Sequence, residues 1–338
     1  MFDHKIKAAA ALTIAATAAL AFAGTADAGV AKPNTANQGD VQLISTDGSA
    51  SLVHTIRHAD GTWQNFGRLG AYSGVTSLTS TLVNGEENAF FQYAGPKGPQ
   101  LAHFIRHVDG TWDYNASVPS TPAGATVDGL AATTVNGQIE LVERTGGDLH
   151  LSTLGADGAW STWSSVPTDG HAVRSVALAP TSSNGVLHVV ELSSDGKSVG
   201  DYDLYPDGSW YGSNWINATP DPAYTATEVA AAYTYGALQV TTVAANAYYS
   251  TVFHTIRHDD YSWDNFGDVQ QVAGFGGEAQ HVSMTYSGGE MQLAFSTQNG
   301  GLIHTTRHWD GSWQRVGDVE SVAGNINAGL VTLAGYYF

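Results

Sequence analysis

The sequence predicts an all-β fold: a six-bladed β-propeller with four antiparallel strands in each blade, the first blade completed by the C-terminal strand. Three observations carry this expectation. One phrase recurs as LVHTIRHADGTW (52–63), LAHFIRHVDGTW (101–112), VFHTIRHDDYSW (252–263) and LIHTTRHWDGSW (302–313), with weaker copies LHLSTLGADGAW (149–160) and VGDYDLYPDGSW (199–210). The tryptophans that close the six copies, Trp63, Trp112, Trp160, Trp210, Trp263 and Trp313, are 48 to 53 residues apart, the period of a propeller blade. Between them lie short runs of β-branched and aromatic residues bounded by hairpin dipeptides such as Asn84-Gly85, Asp109-Gly110, Asn136-Gly137 and Asp310-Gly311.

Each element follows from this period. In the second unit Val75–Leu82, Ala89–Tyr93, Leu101–His107 and Trp112–Val118 make four strands. The first unit has only three, Val41–Thr46, Leu52–His58 and Trp63–Leu69, while Ala328–Phe338 supplies one extra strand of the innermost type. Pairing the two ends closes the ring and removes the open edges of a linear solenoid, the competing arrangement. No stretch shows sustained helical periodicity.

The N-terminal segment reads as an address. Lys5 and Lys7 precede an Ala-rich apolar run, and Ala26-Asp27-Ala28 has the small-x-small pattern of a signal-peptidase site. Residues 1–28 are therefore expected to be a signal peptide, 29–40 a flexible lead-in and 41–338 the propeller. The run is at the short end for a membrane span, so secretion without membrane insertion is expected. A secreted chain with 0 Cys has no disulfides, thiolate metal sites or cysteine nucleophiles, and must be stabilised by packing and closure.

Charge narrows the partners. With 13 Lys+Arg against 31 Asp+Glu, the net charge of −18 argues against nucleic acid, whose phosphates call for clustered cations. A cationic docking partner would suit the acidic stretch Asp259-Asp260, Asp264, Asp268 and Glu278, and the segments Asn217–Thr225 and Ala244–Ser250 are candidate recognition loops.

The chemistry concentrates in H-x-x-R-H-x-D-G-x-W. Strand alternation puts His54 and His58 on one face and Arg57 on the other. The candidate sugar-binding residues are His54, Arg57, His58 and Trp63; His103, Arg106, His107 and Trp112; His254, Arg257, His258 and Trp263; and His304, Arg307, His308 and Trp313. Unit three has Leu151, Leu154 and Gly155 at the His, Arg and His positions, and unit four has Asp201, Leu204 and Tyr205. The tryptophan persists in all six units and the Asp-Gly turn in five, with Tyr261 replacing its glycine in unit five, and both read as structural; the His/Arg set is lost in two units. In a closed ring the intact units 5, 6, 1 and 2 form one arc with three internal clefts. Imidazole and guanidinium donate to sugar hydroxyls, and an indole packs on the C–H face of a pyranose. The alternative is that these groups satisfy carbonyls and acids inside the blade layers, leaving a scaffold for protein interaction.

Enzyme and metal readings are weaker. Two histidines four apart on a strand are roughly 13 Å apart, too far to share an ion without a bulge, so no metal or cofactor is expected. Asp and Gly are adjacent here, unlike the Asp-box of sialidases, and the arginines are copies of one another rather than unlike residues converging on one centre. Glu140, Glu143, Glu191 and Glu228 form no recognisable pair for glycoside hydrolysis.

The phrases HTIRHADGTWQNFG, HTIRHDDYSWDNFGDV and HTTRHWDGSWQRVGDV resemble those of bacterial secreted propeller lectins of the tachylectin-like and Photorhabdus-lectin-like type. The resemblance covers about residues 41–338. It implies a lectin that binds sugars such as fucose or N-acetylglucosamine between blades, although those relatives have other blade counts. It also implies kinship with the cell-surface-recognising lectin subunits of Streptomyces umbrella toxin particles, and hence a secreted protein partner alongside cell-surface glycans.

Overall fold

The computed structural model describes residues 39–336 apart from 50, 73, 97, 121–126, 182–183 and 213–214. The expected signal peptide (1–28) and most of the lead-in lie outside the described residues. The chain forms six sheets arranged as the blades of a propeller. From the axis outward, blade 1 is Val331–Gly335, Val41–Thr46, Ser51–Arg57 and Gly67–Ala71; blade 2 is Ser77–Val83, Glu86–Gly95, Gly98–Arg106 and Trp112–Asp113. Blade 3 is Gly129–Val135, Gln138–Thr145, Asp148–Leu154 and Ser164–Ser165; blade 4 is Val173–Pro180, Leu187–Ser193, Ser198–Leu204 and Trp210–Gly212, with Ile216–Asn217 beside its third strand. Blade 5 is Thr225–Thr234, Ala237–Ala245, Ser250–Arg257 and Gly267–Asp268; blade 6 is Ala279–Ser287, Glu290–Thr297, Leu302–Arg307 and Gly317–Asp318.

Closure is as the termini imply. Val331–Gly335 runs antiparallel to Val41–Thr46 with Leu43 opposite Leu333, so the first blade is built from both ends of the chain. Hydroxyls tie inner strands to their neighbours: Thr332 Oγ1 accepts from Ser80 N (2.9 Å), Ser283 Oγ from Leu333 N (2.9 Å) and Thr79 Oγ1 from Ala132 N (2.9 Å). A ring held this way exposes no inner sheet edge.

The core is divided among the clefts. Six apolar clusters each span two adjacent blades, and each takes in one of the six repeat tryptophans as a partly buried wedge. This accounts for the persistence of the tryptophan where the rest of the phrase is lost. Four of these rings, Trp63, Trp160, Trp263 and Trp313, sit on single bridges opposite Arg57, Leu154, Arg257 and Arg307. The outermost strands are shorter than expected: Trp112–Val118 shrinks to Trp112–Asp113, because Asp113 Oδ1 accepts from Asn115 N and turns the chain away.

Two short helices, Val269–Ala273 and Glu320–Ala323, were not expected. Each arises from a Gly-Asp-Val, the first starting at its Val269 and the second just after Val319, and Asp268 and Asp318 accept the first free amides, from Gln270 and Glu320. At five and four residues they are too short to imprint a helical period. Among the described residues no helix is long and apolar enough to cross a membrane.

Candidate functional site

The third strand of each blade ends in the repeat phrase, and its two faces look into different clefts. His54 packs edge-on against Trp112 of blade 2 (5.4 Å between ring centres), His304 against Trp63 of blade 1 (5.3 Å) and His254 against Trp313 of blade 6 (5.3 Å). The arginine and tryptophan of a blade therefore face the preceding blade, while the first histidine faces the following one. One repeat does not make one site. Each cleft combines the Arg and Trp of one blade with the histidines of its neighbour.

Three clefts receive the whole set. The 6/1 cleft holds Arg57 and Trp63 against His304 and His308; the 1/2 cleft holds Arg106 and Trp112 against His54 and His58; the 5/6 cleft holds Arg307 and Trp313 against His254 and His258. His103 and His107 face blade 3, which has Leu154 in place of the arginine. Arg257 and Trp263 face blade 4. The four intact repeats thus supply three complete clefts, with a half-set at each end of the arc.

The first histidine is a buried hydrogen-bonding group. His54 Nε2 is 2.6 Å from Gln42 Oε1, His254 Nε2 3.0 Å from Gln239 Oε1 and His304 Nε2 3.0 Å from Gln292 Oε1. His103 bridges Asn88 Oδ1 (2.9 Å) and the Ser117 carbonyl (2.9 Å) and stacks on Phe90. Burial, with the adjacent Arg307 or Arg57 charge, pushes His254 and His304 down to about 3, and burial takes His103 to about 4. Sequence reasoning missed the amides that hold these rings. The signal was there, as Gln42, Asn88, Gln239 and Gln292 recur 12 to 15 residues before their histidines.

The second histidine sits nearer the surface on a carboxylate. His58 Nδ1 is 3.2 Å from Asp40, His308 Nδ1 2.6 Å from Glu290 and His258 Nε2 3.1 Å from Asp264; His107 is 2.7 Å from Glu86. Asp40, the last residue of the expected lead-in, is itself buried. These acids also face the arginines. Glu290 acts on Arg57 and Asp264 on Arg307, in each case offsetting the burial that lowers the guanidinium pKa. In the 1/2 cleft the fully buried Glu87 serves Arg106, and one of its oxygens is 3.2 Å from His54 Nε2. Each complete cleft therefore sets a guanidinium and an indole wall against acceptor oxygens; the guanidinium is partly buried at Arg57 and Arg307 and buried at Arg106.

The Asp-Gly turn completes the geometry. Asp60, Asp109 and Asp310 each accept the amide and hydroxyl of the residue two on. The glycines Gly61, Gly110 and Gly311 have φ of 84 to 86°, where a side chain is strained. A Cβ at Gly311 would also lie 3.2 Å from Arg307 Nη2, and one at Gly110 3.3 Å from Arg106 Nη2. In the 6/1 and 5/6 clefts, where Arg57 and Arg307 are only partly buried, the turn glycine leaves the guanidinium uncovered.

Cleft 4/5 is different. Blade 4 places His188 where the others have the amide, and Asp201 where they have the first histidine. Arg257 lies 3.1 Å from Asp201 and 3.4 Å from Asp203, and His188 Nδ1 is 3.2 and 2.7 Å from the same two acids. Burial opposes a charged His188, but the two carboxylates prevail and raise it to about 9. Two anions meet two cations, so although His188, Asp201 and Asp203 cluster within 4.8 Å, the cluster needs no further cation for balance. Tyr261 replaces the turn glycine and lies 4.4 Å beneath the Arg257 guanidinium.

The acidic stretch of blade 5 has internal partners. Asp259 accepts from Tyr233, Asp260 holds its turn, Asp264 pairs with His258 and Asp268 caps a helix. Of the candidate recognition loops, Tyr224 is buried whereas Tyr248 is 88% exposed.

No family model matches the sequence and no curated protein does. Solved structures match at the level of fold. They include the lectin BP39L of Burkholderia pseudomallei (16% identity, TM-score 0.58, covering 85% of this chain and 81% of that one). They also include the lectin of Aleuria aurantia, a six-bladed propeller with its own fucose recognition mode (12%, 0.58, 83% and 91%). A third is AofleA of Arthrobotrys oligospora (13%, 0.57, 88% and 90%). The Aleuria lectin has been solved with Fucα1-6GlcNAc and with α-methyl-L-fucoside. The fold is thus one on which lectins are built, and its six-blade count agrees with that of the Aleuria lectin.

Proposed function

We propose that the protein is a secreted, non-enzymatic lectin that binds neutral sugars of cell-surface glycans in the 5/6, 6/1 and 1/2 clefts. The observation that carries the reading is the assembly of Arg, Trp and a His–carboxylate pair from two blades in three consecutive clefts. The cleft arginine offers a planar fork of donors to adjacent hydroxyls. The carboxylate beside the second histidine accepts from a hydroxyl, and the indole walls the C–H face of the ring. His54, His254 and His304, buried on their amides, form the floor and fix the tryptophan. Repetition on one rigid ring turns weak sites into avidity for a dense glycan surface. Similarity of fold to fucose-binding lectins favours fucosides as the first ligands to test. Secretion through residues 1–28, which rests on the Lys5/Lys7 start, the Ala-rich apolar run and the Ala26-Asp27-Ala28 pattern, and service as the targeting subunit of a toxin particle, which rests on the resemblance of the repeat phrases, belong to the same proposal.

The test is a glycan array with the mature chain, followed by calorimetry with any ligand found. The triple variant Arg57→Ala, Arg106→Ala, Arg307→Ala is expected to lose binding while its circular dichroism stays native. Absence of binding to any glycan in multivalent display, or full binding by the folded triple variant, would sink the reading.

A further inference from the structure

A cavity of about 250 Å³ lies on the ring axis, away from the three clefts. The inner strands of all six blades line it, with hydroxyls from Ser77, Ser175, Ser283 and Thr332 among its walls. Toward the arginine side Leu178, Met284 and Leu333 narrow it to a void of about 30 Å³. It opens at the other end, where the inner strands begin and where Thr76, Asp128, Arg174 and Thr227 are exposed.

That mouth carries unlike charged residues from four blades: Asp128 and Arg144, Arg174, Glu228 and His281. Arg144 is committed, 3.1 Å from Asp128 Oδ1 and donating to the Asp128 carbonyl. Arg174 donates only to the Ala226 carbonyl (3.0 Å) and has no carboxylate partner among the described residues. The two guanidiniums act on each other: burial lowers the Arg144 pKa, Asp128 opposes this, and the Arg174 charge adds to it. This side holds two cations and one anion, and the anion is paired with Arg144. Across the mouth Glu228 is already paired with His281 at 3.0 Å.

The backbone is shaped at the same place. In blades 4, 5 and 6 the register skips one residue at the start of the inner strand, at Arg174, Thr227 and Gln280. A bulge re-aims the side chain it releases, and bulges recur at barrel rims and beside functional sites. Three in succession around one mouth turn Arg174 and its neighbours out of the pairing pattern. An arginine without a counter-ion, in a chain of net charge −18, beside a hydroxyl-lined cavity of monosaccharide size, is a place for an anion that also bears hydroxyls.

We propose that the axial cavity is a second ligand site, taking a carboxylate-bearing sugar with its carboxylate on Arg174 and its hydroxyls toward the Ser/Thr lining and the Glu228–His281 pair. It is independent of the lectin clefts in position, residues and charge preference.

The experiment is titration by calorimetry and ligand-observed NMR with D-glucuronate and N-acetylneuraminate, using D-glucose as the ring without a carboxylate. Three proteins are compared: the native chain, Arg174→Gln, and the triple cleft variant. The sugar acids are expected to bind the native chain and the triple variant alike. Arg174→Gln should weaken them by about tenfold or more, the loss of one charge-assisted contact, and Arg174→Lys should restore part of it. Arg174 is exposed, so both variants should fold. No binding of either acid at millimolar concentration, binding unchanged in Arg174→Gln, or binding lost in the triple variant would overturn the proposal. The last result would move the acids to the clefts, and it leaves the lectin reading standing.

Discussion

In the cleft between blades 6 and 1, Arg57 lies beside Trp63, with an uncovered turn glycine above it and Glu290 within electrostatic reach. In the cleft between blades 4 and 5, Arg257 lies beside Trp263 in the same register, yet it is clamped by Asp201 and Asp203 and covered by Tyr261. The two differ through their neighbours, because blade 6 offers a neutral Gln292–His304 pair and blade 4 a charged His188–Asp201 pair. What an arginine does in this ring is decided by the adjacent blade, some fifty residues away in sequence.

The largest test of that contrast is stability. Arg257→Ala leaves two buried carboxylates with only His188, and breaking such a buried cluster costs about 3–5 kcal/mol. Arg57→Ala, in a half-open cleft, should cost no more than about 1 kcal/mol. Chemical unfolding of both variants checks this, and equal losses would mean the 6/1 arginine is also part of the scaffold.

The second test is pH. Buried acids in the divergent half lack hydrogen-bond partners among the described residues: Glu143 and Glu191 are fully buried. Burial raises Glu143 to about 7, and burial with Asp169 and Asp201 raises Glu191 to about 8; His188 stands at about 9. All three bind their protons more tightly folded than unfolded. Their stabilisation is complete below the ordinary values of 4.5 for the glutamates and 6.5 for the histidine, and is lost as pH rises through about 7, 8 and 9. Stability should therefore fall from mildly acidic to alkaline pH. Glu191→Gln should flatten that fall by about 1.4 kcal/mol per pH unit between the ordinary value of 4.5 and about 8, read from unfolding midpoints across the range. An unchanged slope would show that Glu191 ionises without penalty.

The repeat made most of the fold legible. The period gave the blade number, the missing strand at the start gave the closure, and persistence of Trp160 and Trp210 where the His/Arg set fails gave the wedge between blades. The site was legible by residue type only. Alternation separates His54 from Arg57, but nothing local says that Arg57 meets His304 rather than His54, because pairing across blades is tertiary. Arg257 belongs to an intact His/Arg/Trp set, and its clamp comes from Asp201 and Asp203, which sequence registers only as departures from the pattern. The axial mouth left no sequence signal, since Arg174, Glu228 and His281 belong to different periods and meet only when the ring closes.

The finest test exchanges one residue between the two kinds of cleft. Gly311 and Tyr261 occupy the same turn position at φ 84° and 69°. Gly311→Tyr places an aromatic ring against Arg307, as Tyr261 does on Arg257. The strain of a side chain at positive φ, about 1 kcal/mol, is largely offset by a cation–π contact of about 0.5–1 kcal/mol. Stability should barely change, while calorimetric stoichiometry should fall by one site as the 5/6 cleft closes. The reverse exchange, Tyr261→Gly, uncovers Arg257 but leaves it held by both carboxylates, so stoichiometry should not rise. An added site in Tyr261→Gly would mean that the aromatic lid, rather than the ion cluster, is what closes the 4/5 cleft. Undiminished binding in Gly311→Tyr would mean that ligands reach the arginine by a path the turn does not border.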